Sequence, residues 1–297
     1  MTNALIVGMG KTGTTIVATV IRNSIPGARL FLEPANVALV EKLGTMAGSR
    51  VVKLLYDHWM TRPYLLTGIV RGEAGFRPDR SLAIVRDPRD GLISVILYSA
   101  FVHVAQGATR EQAARWIAVL REKEAEPEKY SVLALIEQIN RIFATGYTYA
   151  WFFDAFRRYM AWVMENSDYL HLLSYEDFVA GKTTDLARYL GVEVSSSREV
   201  EPGYERVARG KLSGDWRRMM LPEDVACWRG HYGSELAAYG YDDWELVPGR
   251  IDPAVCSDYI SRITDEAFQR RLMKDSAAAA QSRNAGRGLS DFAIRGY

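Results

Sequence analysis

The chain has 297 residues, 48% of them hydrophobic, with 37 Lys plus Arg against 36 Asp plus Glu and a formal net charge of +1 at pH 7. This balance excludes a global positive field for nucleic acid or an anionic membrane surface, so any anion site must be local. Two cysteines without C-x-x-C spacing, Cys227 and Cys256, and four histidines supply no zinc set, so no metal is expected. No apolar run reaches the ~18 residues of a membrane helix. No basic flank or cleavage pattern precedes the first strand, which points to a cytoplasmic protein.

The first element, ALIVG (4–8), reads as a buried strand that enters a glycine-rich turn and a helix. A second strand, ARLFLE (28–33), ends in Glu33. Gly8, Gly10 and Gly13 spell G-x-G-x-x-G, and with Glu33 on a ribose diol this would be a dinucleotide-binding fingerprint of an oxidoreductase. Lys11-Thr12-Gly13-Thr14-Thr15 reads equally as the phosphate cradle of a group-transfer enzyme. Such a cradle needs a cation for the charge that develops on a bridging oxygen, and hydroxyls and N–H groups for the phosphate. A regular Walker loop is excluded because Thr14, not lysine, follows Gly13. That weakens a nucleotide-kinase reading, and a nucleotide-binding module without catalysis is the remaining alternative.

The third strand, RVVKLLY (50–56), is followed by Asp57-His58. The fourth, SLAIVR (81–86), leads through a polar corner into an amphipathic helix. Arg86 at the strand's carboxyl end and Ser94 about two turns into that helix suit one terminal phosphate, although an Arg86–Asp90 surface pair explains the arginine as well. His103, alone on an apolar helix face, reads as structural. Residues 109–166 are helical throughout and form an insertion spanning about 104–166. Its Trp151, Phe152, Phe153, Phe156, Tyr159 and Trp162 are core or an acceptor wall.

The fifth strand is YLHLLS (169–174), followed by a further helix. The alternation of strands and helices predicts a three-layer α/β fold: a mostly parallel central sheet, a P-loop-like strand-loop-helix and the helical insertion. Arg206, Arg209, Lys211, Arg217 and Arg218 crowd a loop with Gly210 and Gly214, which reads as a cationic flap or as a solvated face. Pro222 and Asp252-Pro253 mark helix starts, the second helix running to about Lys274. A single domain over 1–274 and a tail or lid over 275–297 are expected.

Taken together, G-K-T-G-T-T (10–15), R-D-P-R-D-G-L-I-S (86–94), S-Y-E-D-F (174–178) and R-G-K-L-S-G-D-W-R (209–217) resemble the segments of the sulfotransferases that use 3′-phosphoadenosine 5′-phosphosulfate, PAPS. The resemblance covers most of the chain outside 104–166 and the tail. It implies that Lys11 holds the leaving phosphate-sulfate bridge and that Thr12, Gly13, Thr14 and Thr15 cradle the 5′-phosphate. It further implies that Arg86, Ser94, Arg209, Gly210 and Lys211 hold the 3′-phosphate, that Tyr175 approaches adenine and that Trp216 anchors the flap. Gly210-Lys211 inverts the family's usual Lys-Gly, Ile16 stands where a tryptophan often stacks on adenine, and RVVKLLYDH lacks the Lys-Thr-His spacing. The implied products are PAP and a sulfated hydroxyl, less readily a sulfated amine, on a small-molecule, carbohydrate or lipid acceptor. Glu33 or His58 is the expected general base, with Asp57 a third candidate.

Overall fold

The strands β1 (Asn3–Gly8), β2 (Arg29–Leu32), β3 (Arg50–Leu55), β4 (Arg80–Val85) and β5 (His171–Ser174) form one sheet in the order β2-β3-β1-β4-β5, every pairing parallel. The computed structural model describes residues 1–197, 200, 203–207, 209–210, 213–247 and 249–290, with side chains described except at 207 and 277–290. Helix α1 (Thr14–Ser24) follows β1, α2 (Val37–Gly44) follows β2, and α3 (Tyr56–Trp59) and α4 (Pro63–Val70) follow β3. Between β4 and β5 lie α5 (Pro88–Ala105), α6 (Arg110–Ala125), α7 (Val132–Phe143) and α8 (Tyr149–Glu165). After β5 come α9 (Tyr175–Val179), α10 (Thr184–Leu190), α11 (Trp216–Met219), α12 (Pro222–Ala238) and α13 (Ser257–Ser290).

Strands buried on both faces carry continuous apolar runs rather than alternating ones, which is why ALIV reads so cleanly. Ala4 and Ile6 pack on one face with Val17, Ile21, Phe178 and Leu186, whereas Leu5 and Val7 pack on the other with Leu92, Ile96, Ile139 and Phe156. The three-layer α/β arrangement is therefore present, and the sheet is wholly parallel. From β1 the chain turns to α1 on the first face, and from β4 it turns to α5 on the second. The loops thus diverge above β1 and β4, the place where α/β sheets open a ligand crevice at their carboxyl edge.

Local polar chemistry sets the ends of the helical block. Thr109 and Gln112 form a capping box on α6, and Ser131 and Thr148 cap α7 and α8 through Ala134 N and Trp151 N. Asn140 interrupts the stretch 109–166 that the sequence suggested was helical throughout: its Oδ1 accepts from Thr145 Oγ1 and Tyr147 N, and Ala144 turns left-handed. The buried Asp224 accepts from Val132 N, Leu133 N and Leu221 N, tying the starts of α7 and α12 together. Phe152, Phe153, Phe156, Tyr159 and Trp162 are core, while Trp151 is 45% exposed. Tyr159 reaches beneath the crevice and donates its hydroxyl to Val7 O and Ile84 O. His103 is buried against Phe143 at 4.6 Å. Helix α13 continues past Lys274 to Ser290, so much of the segment expected as a tail or lid is helical, and 291–297 lie outside the described residues.

Candidate functional site

The first wall of the crevice is the turn between β1 and α1. Thr12 Oγ1 donates to Met9 O at 2.8 Å, and Asp57 Oδ2 accepts from Gly10 N, so the turn is pinned from both sides. Lys11 has φ 68° and Gly13 φ 83°, two left-handed residues that bend the backbone sharply through the turn. No side chain caps α1, and no acid sits in its first turn, so its N–H groups and dipole remain available to an anion. Gly13 has a second constraint, because a Cβ there would overlap the Tyr175 ring. Gly13→Ala is therefore expected to cost about 2 kcal/mol or more through left-handed strain and overlap. A thermal melt and a nucleotide titration check this, and an unchanged melting point would contradict the packing.

The corner after β4 supplies the second wall. Arg86 donates Nη1 to Lys11 O at 3.0 Å and to Ser94 Oγ at 3.3 Å, lies 4.7 Å over the Tyr175 ring, and pairs with Asp90 at 3.5 Å. The Arg86–Asp90 pair exists, but it is buried rather than a surface contact. Asp90 is also the anchor of the third wall: it accepts from Gly214 N at 2.5 Å and Trp216 N at 3.1 Å. Burial pushes the Asp90 carboxyl up, and Arg86 and the Gly214 N–H oppose this. In that third wall Arg209 pairs with Asp215 at 2.6 Å.

These walls enclose a cleft of about 470 Å³. Among its lining residues are Lys11, Gly13, Thr14, Thr15, Glu33, Asp57, His58, Arg86, Ser94, Tyr175, Arg209 and Gly210, which the structure thus brings together. Two expected residues lie elsewhere. Thr12 is buried, with its hydroxyl spent on Met9 O. Trp216 faces away from the cleft: its ring is held by the Arg89 guanidinium at 3.9 Å and by Trp244, so it anchors the loop from the protein interior. Lys211 lies outside the described residues. The flap cations also divide, since Arg217 turns away to Asp243 at 2.5 Å and Glu245 O at 2.7 Å.

Positive charge dominates the cleft. Burial, then Arg209 and Arg86, press the Lys11 ammonium down to about 7, and it lies 3.8 Å over the Tyr98 ring. Lys53, buried in the middle of the sheet, donates to Glu33 and to Thr15 Oγ1 at 3.1 Å. Glu33 itself is left-handed at φ 55°, so two of the expected catalytic residues, Lys11 and Glu33, sit in strained backbone. His58 is exposed at the cleft, and Asp57 is occupied by the Gly10 N–H. Among the described residues the buried Nε atoms of Arg86, Arg206 and Arg209 have no partner, an unusual set of orphaned donors for one cleft. Sequence reading missed Lys53, Tyr98 and Tyr259 on this lining, and it named Asp90 only as a surface partner of Arg86, without its hold on Gly214 N and Trp216 N. A lysine inside an otherwise apolar strand was the visible signal for the first, since such a charge is retained only where it is paired.

Among the described residues no group of three or more His, Cys, Asp or Glu is placed to hold a metal ion, and no helix is long and apolar enough to cross a membrane. No family model matches the chain, and no curated protein matches it. Among solved structures, the chain is similar to mouse sulfotransferase SULT7A1 complexed with PAP, at 15% identity, over 80% of this chain and 85% of that one, with a TM-score of 0.47.

Proposed function

We propose that the cleft binds PAPS and that the protein transfers its sulfuryl group to an acceptor hydroxyl. The observation that carries this reading is the convergence of Lys11, Arg86 and Arg209 on a single cleft at the β1/β4 divergence. Three segments distant in sequence supply these cations. A dinucleotide fold would need only the first of them. The orphaned Nε donors of Arg86 and Arg209 suit a ligand with phosphate at more than one ribose position.

In this reading the N–H groups at the start of α1, with Thr14 and Thr15, take the 5′-phosphate. Arg86, Ser94, Arg209 and Gly210 take the 3′-phosphate, and Tyr175 borders the adenine. The acceptor oxygen attacks sulfur opposite the bridging oxygen, and a new O–S bond forms as the bridging S–O bond breaks. The electron pair leaves on the 5′-phosphate of PAP, where Lys11 neutralises it, and the acceptor proton passes to Glu33. Positioning and preorganised charge do most of the catalytic work in such in-line transfers. Lys53 holds the Glu33 carboxylate in place.

Separate variants assign the base. Glu33→Gln is expected to lower kcat by about 10²–10⁴-fold, with the PAP dissociation constant within about threefold of wild type. His58→Ala is expected to lower kcat by less than about tenfold. Steady-state transfer from PAPS measures both, and the reverse ranking would move the role to His58.

A further inference from the structure

Arg206 is the cleft cation that the proposed PAPS contacts leave without a task. It sits in a short turn, Glu205–Val207, and lines the same cleft. Its guanidinium donates to Gly203 O and hydrogen-bonds the Tyr98 hydroxyl, and it lies 5.3 Å from the Phe101 ring and 5.1 Å from the Tyr204 ring. Tyr259 fixes the turn by donating its hydroxyl to Arg206 O at 2.8 Å. Arg86 and Arg209 have carboxylate partners in Asp90 and Asp215. Among the described residues Arg206 has only Glu266 at 3.8 Å, a carboxylate that Arg270 holds more closely at 2.6 Å. Its Nε is buried with no partner among the described residues. A guanidinium kept in an aromatic frame with an open donor and a poorly neutralised charge is equipped to take an anion from the cleft.

Its position along α5 says which anion. Arg86 precedes the helix and meets Ser94, Lys11 lies over Tyr98 one turn further, and Arg206 lies over Phe101 nearly a turn beyond that. At 1.5 Å rise per residue, Ser94 and Phe101 are separated by roughly 10 Å along the axis. Arg206, reaching both Tyr98 and Phe101, thus stands beside and beyond Lys11 along α5 and away from Ser94, which in the PAPS reading is the acceptor's side of the transferred group. We infer that the acceptor is itself an anion, whose carboxylate, sulfate or phosphate pairs with Arg206 while its hydroxyl faces Glu33. This rests on the PAPS reading and adds the acceptor's charge class to it.

The test uses full-length protein saturated with PAP and two probes of one shape, 4-hydroxyphenylacetate and the neutral 4-hydroxyphenylacetamide, titrated calorimetrically. The acid is expected to bind about tenfold more tightly than the amide. Arg206→Gln is expected to erase the preference and Arg206→Lys to keep part of it, with the PAP affinity of both within about threefold of wild type. Equal affinities, or no binding of the acid by protein that binds PAP, would overturn the inference. So would a loss of about tenfold or more in PAP affinity for Arg206→Gln, because the arginine would then serve the nucleotide. If wild-type protein bound no PAP, the PAPS reading would fail first and this inference with it.

Discussion

Lys11→Met is expected to slow transfer strongly while making the unliganded protein more stable. The native ammonium is held at about 7 against an ordinary value of 10.5 by burial and by Arg209 and Arg86, so at neutral pH and below the fold carries the full cost of a confined charge. Between pH 7 and 10.5 the unfolded chain holds a proton that the native state has released, so stability from this group rises with pH across that window. Each pK unit is worth about 1.4 kcal/mol, but partial exposure screens the charge, and about 1–2 kcal/mol is the expected gain on its removal. A chain of this size would show that as roughly 2–6 °C in melting temperature at about pH 7. Activity should move the other way: losing the cation from the leaving oxygen is expected to cost about 10²–10³-fold in kcat. Wild-type affinity for a polyanion should weaken as pH rises above about 7, because binding must then restore the proton to Lys11; Lys11→Met should flatten that profile. A destabilised variant with an unchanged pH profile would show that the charge is not confined as described.

Asp90→Asn is the second substitution with a large expected effect. One buried carboxylate holds Arg86 against the cleft and, across 124 residues of chain, holds Gly214 N and Trp216 N. The amide keeps one acceptor, turns its NH₂ against the other N–H, and leaves Arg86 without its counter-charge. Removing one partner of a buried pair costs about 3 kcal/mol or more, and the PAP affinity should fall together with the stability because the second and third walls share this residue. Asp243→Asn is the matched control. Its pair with Arg217 is exposed at the carboxylate, so less than about 1 kcal/mol is expected. Chemical denaturation and PAP titration of the two variants distinguish the cases, and equal small losses in both would mean that Asp90 does not join the walls.

The parallel sheet was legible because its central strands β1, β3 and β4 are buried on both faces and so carry long apolar runs. The helices between β2 and β4 were not read. Asn36 accepts from Leu39 N to start α2, and Pro63 opens α4, but each helix has only eight residues, too few to repeat an apolar stripe convincingly. Cleft-lining residues could be read where local geometry makes them, as with Lys11, Gly13, Thr14 and Thr15 around a left-handed glycine, or Arg86 and Ser94 eight residues apart. Partners fixed by tertiary folding could not. The Lys53–Glu33 pair depends on β2 and β3 lying side by side, and Asp90 appeared as a surface partner because nothing local announces the Gly214 and Trp216 N–H groups. The interior partners of Trp216 were hidden for the same reason: Arg89 and Trp244, which enclose its ring, are brought to it only by the fold.

Isothermal titration of the full-length protein with PAP, 5′-AMP and NADH tests the central claim most directly, namely that cations from three segments make one site for an adenosine phosphorylated at both ends. Saturable one-to-one binding of PAP is predicted, weakened about 100-fold or more when the 3′-phosphate is absent and lost together in Arg86→Ala and Arg209→Ala. Tight binding of NADH without measurable binding of PAP would contradict it.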